Sequence, residues 1–481
     1  MRVERGSRGA VAAAHPAAVA AGCALLAEGG NAVDAAIAAQ AALGVVIPQS
    51  CGIGGDALFL VSRRDGTRDA INGTGVWPRA AVAHADTGGP SVSVPGAVEG
   101  WATLATAHGR LGLAAALAPA IRLAREGHPM PRSTAEAVDE QRERLVAGGA
   151  GAWPRLAARA GDVIRDEPLA EVLAAIAERG SAAFYEGPIA RAIAEAVVRT
   201  GGAMTESDLA ARDVERRAPL ATAWNGGELL VQPPMSQAVL LAMAARWFEE
   251  AGVPDDRSLR DHLAVEAIGD AFRHRDRAGE GEALLALALQ VDRERATPRS
   301  GPRSYNHTAG VATADAEGTV VSSLVTVFDD FGSAVLVEEG GFVLTNRAAG
   351  FTAGPNAPRA GARPVHTLSP ALVVDRRGHR AAIATPGADG QVQTLLQVLL
   401  NLRAEDPIDV AEARPRWRLQ DGALMIEEDH PSLDALRGRG HAVSPVAAHD
   451  ALFGSVVAAG VDGEGPWAAG DVRREVTARG A

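Results

Sequence analysis

The stretch "SYNHTAGVATADAEGTVVS" (Ser304 to Ser322) marks the point where the character of the chain changes. A polar lead into His307 and Thr308 is followed by a run of small residues, a turn at Asp315–Gly318 and a β-branched run. Two β-type runs on either side of a short polar turn predict a β-hairpin. Thr308 would therefore stand at the head of a strand, far from either end of the chain.

The sequence on the two sides of this hairpin differs. Residues 9 to about 290 predict mostly helices, among them Asn31 to Val46, which begins with a favourable N-cap residue. From Thr308 to about Val374 short β-type runs dominate instead. Helices that flank a largely antiparallel β core predict an α+β fold built in layers.

Composition and charge limit the choice of partners. The 481 residues are 47% hydrophobic and 22% charged, as expected of a globular protein with one large domain or two to three smaller ones. A net charge of −12 argues against nucleic acid or an anionic membrane as a partner, which leaves small molecules. The first apolar run is broken at His15 and Pro16, and no run is long enough to span a membrane. The sequence therefore predicts a cytoplasmic protein.

Several kinds of chemistry are excluded or disfavoured by residue usage. The chain has no lysine, since all 47 basic residues are arginine, which excludes a pyridoxal Schiff base, a Walker A site and a Ser–Lys dyad. Cys23 and Cys51 are the only cysteines and form no CxxC pair, so a disulfide framework is not expected. His262 and Glu266 have the i, i+4 spacing of metal ligands but lack a third partner. We expect no metal and no cofactor.

Thr308 is the candidate nucleophile on chemical grounds. A threonine hydroxyl is weak unless a base activates it, and the nucleophile motif GxSxG is absent. If the bond before Thr308 were cleaved, the α-amino group of Thr308 could serve as its base. The hydroxyl could perform that cleavage itself by attacking the carbonyl of His307. Considered alone, Thr308 could equally be an ordinary strand threonine.

A family resemblance supports the nucleophile interpretation. The chain resembles the gamma-glutamyltransferase (gamma-glutamyltranspeptidase) family of N-terminal nucleophile hydrolases over nearly its whole length. The segments that carry the resemblance are collinear with the family pattern. They are "AHPAAVAAGCALLAEGGNAVDAAIAAQAALGVVIPQSCGIGGDALFLV" from Ala14, "VSVPGAVEGWATLATAHGRLGLAAALAPAIRLAREGHPM" from Val92, "AFYEGPIARAIAEAV" from Ala183, "GGAMTESDLAARDVERRAPL" from Gly201, "EGTVVSSLVTVFDDFGS" from Glu317, "GFVLTNRAAGFT" from Gly341, "RPVHTLSPALVV" from Arg363 and "ARPRW" from Ala413.

The resemblance implies a fold, a maturation step and catalytic roles. The implied fold is the α+β four-layer αββα sandwich, with cleavage at His307–Thr308 into a large chain 1–307 and a small chain 308–481. The two chains would associate as one intertwined domain, and a higher homo-oligomer remains open. Thr308 falls on the family's nucleophile and Thr326 on the threonine that orients it. Gly387 and Ala388, in "ATPGADG", fall on the paired-glycine loop whose N–H groups form the oxyanion hole.

The match departs from the family pattern in the acyl-binding pocket. Thr74 stands where the family has a carboxylate-binding arginine, and "NRAAGFT" replaces the motif that carries the ammonium-binding acid. The loss of the acid and the gain of a basic residue imply an acyl group that bears a carboxylate but no α-amino group. The pattern also looks like the oxamate amidohydrolase-like branch of the family. The candidate substrate-binding residues are Thr74, Asn346, Arg347, His366, Thr367, Asp389 and Gln391.

Three hypotheses about function follow. The first is an amide hydrolase or acyltransferase of this family with altered acyl specificity, acting on a small-molecule amide. The second is a γ-glutamyl hydrolase or transpeptidase that acts on glutathione-like substrates. The third is an unprocessed scaffold or binding protein without catalytic activity.

Overall fold

The computed structural model describes residues 3–299 and 308–481. The strands of this part of the chain are β1 Glu4–Arg5, β2 Gly9–Ala13, β3 Asp56–Ser62, β4 Arg68–Gly73, β5 His128–Pro129, β6 Val163–Ile164, β7 Glu215–Arg217, β8 Leu220–Trp224, β9 Gly227–Val231, β10 Ala309–Asp315, β11 Val320–Thr326, β12 Leu336–Val337, β13 Phe342–Val343, β14 Ala371–Val374, β15 Arg380–Ala384, β16 Trp417–Gln420, β17 Ala423–Glu427, β18 Val443–Val446, β19 Val457–Asp462, β20 Gly465–Gly470 and β21 Thr477–Gly480. Its α-helices are α1 Pro16–Ala27, α2 Ala32–Val46, α3 Ala97–His108, α4 Leu113–Glu126, α5 Arg132–Ala147, α6 Glu167–Arg179, α7 Ala182–Tyr185, α8 Pro188–Arg199, α9 Glu206–Ala210, α10 Ala238–Ala251, α11 Arg257–Ala271, α12 Glu282–Leu285, α13 Gln391–Arg403, α14 Ile408–Ala413 and α15 Leu433–Gly438.

The predicted hairpin forms the centre of the first large sheet. Strands β10 and β11 pair antiparallel with Ala309 opposite Val325, and Gly318 makes the turn with a positive φ of 89°. The strand order of this sheet is β21-β2-β10-β11-β3-β4-β7. Every residue of β10 and β11 is buried, because the sheet is covered on both faces.

A second sheet packs face to face on the first. Its strand order is β1-β20-β19-β15-β14-β9-β8, and all its neighbouring strands are antiparallel. An apolar layer of small and branched side chains separates the two sheets, with Leu58 and Leu324 from the first facing Leu372 and Ala382 from the second. Close packing of two sheets through such a layer is the arrangement of a β-sandwich.

Helices cover the outer face of each sheet. Helices α1, α2 and α3 lie on the first sheet, where α2 is alanine-rich and almost wholly buried. Helices α10 and α13 lie on the second sheet and share its outer core. The order of layers is therefore helix, sheet, sheet, helix, which confirms the α+β αββα sandwich expected from the sequence.

The prediction that residues 9 to about 290 are mostly helical is confirmed, since α1 to α12 lie in this region. This region also supplies β2, β3, β4 and β7 to the first sheet and β8 and β9 to the second. Strand β2 reads "GAVAA" and is buried at every position, so it lacks the alternation that identifies a half-exposed strand. Its alanines suit a strand and a helix alike, and only pairing with β10 and β21 decides between them.

The parts of the chain before and after Thr308 are interleaved in both sheets. In the first sheet β10, β11 and β21 come from after Thr308 and the other four strands from before it, and β2 lies between β21 and β10. No helix in the described part of the chain is long and apolar enough to cross a membrane.

Candidate active site

Thr308 and Thr326 meet where the central hairpin begins and ends. The register that pairs Ala309 with Val325 places Thr308 across from Thr326. The Thr308 hydroxyl donates to Thr326 Oγ1 at 3.2 Å. Thr326 Oγ1 also accepts the N–H of Phe328 at 2.9 Å, which fixes its position at the end of the strand. The two threonines predicted to act together are therefore in direct contact.

Asp56 extends this row of polar side chains onto the next strand. It is the Cα partner of Thr326 in the pairing of β11 with β3, so the two side chains point to the same face of the sheet. That face looks toward the second sheet, because Leu58 and Leu324 on the same sides of these strands belong to the layer between the sheets. Asp56 is fully buried, and it was not among the residues predicted from the sequence.

Arg347 lies against Asp56 and keeps two of its nitrogen atoms without a partner among the described residues. Its Nε donates to Asp56 Oδ2 at 3.1 Å, and its Cζ is 4.1 Å from the centre of the Phe328 ring. The side chain is fully buried, and Nη1 and Nη2 have no hydrogen-bond partner among the described residues. Burial lowers the pKa of Arg347, while Asp56 opposes that shift. A fixed guanidinium with two free N–H groups is suited to bind a planar anion through both of them.

His366 is part of this cluster as a neutral side chain. Its Nδ1 accepts the N–H of Leu368 at 3.1 Å, so the ring proton belongs on Nε2, which lies 3.3 Å from Asp56 Oδ2. Burial, followed by the nearby charge of Arg347, lowers the pKa of His366 to about 4. His366 is therefore uncharged at pH 7, and of these two residues only Arg347 supplies positive charge.

The predicted oxyanion loop follows β15 directly. Gly387 has a φ of 120° and Ala388 a φ of 48°, a left-handed conformation that is unfavourable for a residue with a Cβ. The N–H groups of both residues have no acceptor among the described residues. Gln237 links this loop to residue 367, since its Nε2 donates to the carbonyl oxygens of Ala388 and Thr367, both at 3.1 Å.

Three other predicted residues have their side chains engaged by the protein. Asn346 donates to the carbonyl of Asp86 and to Asp329 Oδ2, both at 2.8 Å. Asp389 accepts Arg275 Nε at 2.8 Å, and Gln391 Oε1 accepts the N–H of Ser369 at 2.8 Å. These residues hold the loops around Arg347 and Ala388 in place.

Thr74 is placed across from Asp56 by the register of β3 and β4, in which Ala57 pairs with Gly73. It follows β4, and its hydroxyl donates to Asn72 Oδ1 at 2.6 Å. Its carbonyl accepts Arg363 Nε at 2.6 Å, and Arg363 also pairs with Glu215. The hydroxyl of Thr74 thus has its partner within its own loop, and among the described residues Thr74 makes no hydrogen bond to Thr308 or Arg347.

The remaining predictions involve positions outside the cluster. His307 lies outside the described residues. His262 Nδ1 is 2.8 Å from His441 Nε2, and Glu266 accepts the N–H and the hydroxyl of Thr297. His262 and Glu266 therefore serve to hold neighbouring segments rather than each other.

Sequence reasoning missed two residues that shape the site, Asp56 and Gln237. A signal for Asp56 existed in "GGDALFLV", where one acid opens an otherwise apolar buried strand and needs a partner. Gln237 offers no such signal, because its role depends on the approach of residues 367 and 388. Because the sequence analysis did not include Asp56, it indicated that Arg347 has no acid beside it. The structure corrects this, since Asp56 lies against Arg347.

Comparisons with known proteins show the family to which the chain belongs. The model of the family described as gamma-glutamyltranspeptidase matches residues 18–481. The chain is 29% identical to a glutathione hydrolase-like YwrD proenzyme of Bacillus subtilis, over 96% of each protein. It is 31% identical to an oxamate amidohydrolase proenzyme of Klebsiella pneumoniae, over 86% of this chain and 85% of that protein. The crystal structure of a cephalosporin acylase from Bacillus halodurans matches with a TM-score of 0.88 at 28% identity, over 100% of this chain and 97% of the other.

Proposed function

The chain belongs to the gamma-glutamyltranspeptidase family and is an amide-hydrolysing enzyme, and from this premise we propose that Thr308 is its nucleophile after cleavage of the His307–Thr308 bond. The observation that carries the proposal is the hydrogen bond between the hydroxyls of Thr308 and Thr326 at the head of β10. Proenzyme names among the relatives support a maturation step of this kind.

Maturation is an intramolecular acyl shift followed by hydrolysis. Thr308 Oγ1 attacks the carbonyl carbon of His307, the C–N bond breaks, and the nitrogen leaves as the α-amino group of Thr308. Water then hydrolyses the ester, which returns the hydroxyl and leaves a carboxylate on His307. The new amine lies on the same residue as the hydroxyl and can accept its proton during catalysis.

Turnover follows the usual course of acyl transfer. Thr308 Oγ1 attacks the substrate amide while the α-amine takes the hydroxyl proton, and Thr326 orients the attacking oxygen. The unpaired N–H groups of Gly387 and Ala388 stabilise the developing oxyanion. The amine passes its proton to the leaving nitrogen, an acyl-enzyme remains, and water or a second amine resolves it.

The acyl group in this proposal carries a carboxylate. Nη1 and Nη2 of Arg347 are buried without a partner, where an unpaired N–H group costs about 1–3 kcal/mol, so an anionic acyl group that pairs with them binds favourably. Asp56 and Phe328 hold the guanidinium from the side and from one face, which leaves its outer edge for the ligand. The name of the oxamate amidohydrolase relative is consistent with a short carboxylate-bearing acyl group.

One observation supports γ-glutamyl substrates as the second candidate. Asp56 Oδ1 is buried and has no hydrogen-bond donor among the described residues. Asp56 and Arg347 together place a carboxylate next to a guanidinium. An α-amino acid group needs both, the carboxylate for its ammonium group and the guanidinium for its own carboxylate. The relative named glutathione hydrolase-like agrees with this alternative.

The experiment combines processing with substrate choice. Denaturing electrophoresis of the purified protein is expected to show two pieces, residues 1–307 and 308–481, whereas Thr308→Ala stays as one band and loses activity. Half-amides of oxalic, malonic, succinic and glutaric acid are then compared with a γ-glutamyl anilide. Preference for a half-amide supports the carboxylate-bearing acyl group, and preference for the anilide supports the second candidate. A wild-type protein that stays as one band and hydrolyses neither set overturns the assignment of Thr308.

A further inference from the structure

Residues 77–87 form a surface segment that follows β4 and lies against the loop that carries Arg347. Most of the residues between 79 and 87 are exposed, and Val82 is 96% exposed. Three residues of the segment nevertheless contact the loop formed by residues 346–351. One of these contacts is made before Arg347 in sequence and two are made after it, so the segment holds the loop on both sides of the arginine.

His84 makes the contact nearest to Arg347. Its Nε2 lies 2.7 Å from the carbonyl oxygen of Ala348. Because a carbonyl oxygen can only accept, Nε2 carries the proton and donates it. Ala348 directly follows Arg347 in sequence and is fully buried. Since each peptide unit is planar, this hydrogen bond fixes the backbone within two peptide units of the Arg347 Cα.

Two other contacts hold the loop at its ends. At the first end, Asn346 Nδ2 donates to the carbonyl of Asp86 at 2.8 Å. At the second end, the ring centres of Phe351 and Trp77 are 5.8 Å apart. The His84 ring packs edge-on against both rings, with centres 6.3 Å from Phe351 and 6.1 Å from Trp77. Aromatic rings at such separations attract each other, so His84 is held over the loop by its ring as well as by its hydrogen bond.

The direction of the two unpaired Arg347 donors depends on where the loop holds the Arg347 backbone. Asp56 contacts Nε and Phe328 contacts one face of the guanidinium, and both contacts require the Arg347 Cα to stay in place. We propose that His84 is a positioning residue for Arg347, because its bond to the Ala348 carbonyl keeps the loop where Nη1 and Nη2 can pair with a carboxylate. His84 acts through the loop and does not itself bind the acyl group. This inference rests on the proposed function, since it concerns recognition of the same acyl group.

The test compares two replacements of His84. His84→Ala removes the donor, whereas His84→Gln keeps an N–H donor on a side chain of similar length. The substrate is the half-amide with the highest kcat/KM in the series of oxalic, malonic, succinic and glutaric acid. His84→Ala should raise its KM about 3- to 10-fold, the effect of one lost hydrogen bond, and leave kcat nearly unchanged. His84→Gln should bring KM back to within about twofold of the wild type.

A second substrate and a second histidine provide the controls. The amide of the same length without the carboxylate should respond to neither replacement, because it does not use Arg347. His379 Nδ1 lies 2.9 Å from Asp375 Oδ2 in the turn between β14 and β15, so His379→Ala removes a comparable surface contact elsewhere and should leave both KM values unchanged. An equal rise of KM for both amides in His84→Ala, or a rise that His84→Gln does not reverse, overturns the inference.

Hydrogen exchange separates the inference from the proposed function, because it needs no substrate. The backbone N–H groups of residues 346–351 should exchange about 3- to 10-fold faster in His84→Ala than in the wild type or His84→Gln. If exchange rises in this way while no half-amide is hydrolysed, or while Arg347→Lys leaves the half-amide unaffected, the acyl assignment fails and the positioning role of His84 stands. Exchange of residues 346–351 that is unchanged in His84→Ala overturns the inference for any acyl group.

Discussion

Arg347 combines two features that rarely occur together in a side chain without exposure to solvent. It is held firmly, by Asp56 at Nε and by the ring of Phe328 on one face, and it still has two unpaired donors. A buried arginine that served only to neutralise Asp56 would be expected to direct more of its donors to the protein. The two unpaired donors support the proposal of a ligand at Arg347, and the contacts with Asp56 and Phe328 fix the orientation of these donors.

Replacing Arg347 by lysine tests whether the orientation of the two guanidinium donors matters for binding. Arg347→Lys keeps the charge but removes the fork that grips a carboxylate through two N–H groups, so kcat/KM for the preferred half-amide should fall by about 10- to 100-fold, mainly through KM. An amide of the same length without the carboxylate should show no such preference for arginine. Steady-state kinetics with the two substrates measures both effects.

Arg155 provides a matched control for this substitution. It is also fully buried, pairs with Asp166, and lies over an aromatic ring, with its Cζ 5.0 Å from the centre of Trp153. Arg155→Lys should lower stability to a similar extent without selective loss of the carboxylate-bearing substrate. Equal effects of Arg347→Lys and Arg155→Lys on that substrate would contradict a binding role for Arg347.

Ala388 carries backbone strain that a glycine would remove. Its φ of 48° is left-handed, which costs a residue with a Cβ roughly 1 kcal/mol. Ala388→Gly should therefore raise the free energy of unfolding by about 1 kcal/mol, and it keeps the N–H group of the loop. Urea unfolding measures the change. Ala382→Gly, in the regular strand β15, should have the opposite sign, and destabilisation by both variants would contradict the strain.

Single residues differ in how far the sequence could predict them. The contact between Thr308 and Thr326 was predictable, because both belong to one hairpin whose register follows from a short turn. Asp56 was not, since it reaches Arg347 only when β3 pairs with β11 across more than two hundred residues of chain. The charge of His366 also needed the structure, because the pKa depends on burial and on Arg347.

Among the larger elements, the segment before α10 is the one that joins the two sides of the site. Residues 233–237 run beside residues 366–368, with backbone hydrogen bonds from His366 N–H to the carbonyl of Met235 and from Gln237 N–H to the carbonyl of His366. Through the side chain of Gln237, this segment of the first part of the chain holds the loop at Ala388, the proposed oxyanion loop, of the second part. Hydropathy patterns identify α10 but carry no information about this lateral contact.

Removing the Gln237 contact should weaken catalysis more than binding. Gln237→Leu leaves the Ala388 carbonyl without its donor and frees the loop, so kcat should fall about 10- to 100-fold while KM changes little. Gln397→Leu is the control, since Gln397 is equally buried and donates to the carbonyl of Trp417, in another part of the second sheet's helical layer. A parallel loss of kcat in both variants would indicate general destabilisation instead.

At the scale of the whole molecule, the layered order was predictable and the strand order was not. The change from helical to β-type sequence near Thr308 suggested layers, and the family resemblance suggested two sheets between helices. The pairing of β2 with β10 and of β9 with β14 joins segments that are far apart in sequence, and no local pattern specifies it. The same interleaving means that the two pieces expected from processing should stay together until the protein is unfolded.

Four buried or partly buried histidines make the stability of the whole molecule depend on pH. The pKa values of His15, His366 and His441 are lowered to about 4 and that of His430 to about 3, in each case mainly by burial. In the unfolded chain a histidine takes up a proton near pH 6.5, so the unfolded state binds more protons between that pH and the folded pKa. The histidines therefore contribute a loss of stability as the pH falls below about 6.5. Glu412 opposes them, because burial raises its pKa well above the usual range and its contribution declines as the pH rises.

Replacing His430 measures what a single histidine contributes to this pH dependence of stability. It is buried, and its Nδ1 accepts the N–H of Ser432 at 3.2 Å, a role that the amide oxygen of glutamine can take over. The pKa of His430 in the unfolded chain is near 6.5. Burial of His430 should therefore lower the free energy of unfolding by about 2 kcal/mol at pH 5.0 relative to pH 7.5. His430→Gln should therefore reduce the pH dependence of the free energy of unfolding by about that amount, measured by urea unfolding at the two pH values. An identical pH dependence in the variant and the wild type would mean that His430 has the same pKa in the folded and the unfolded protein, and would contradict the lowered pKa.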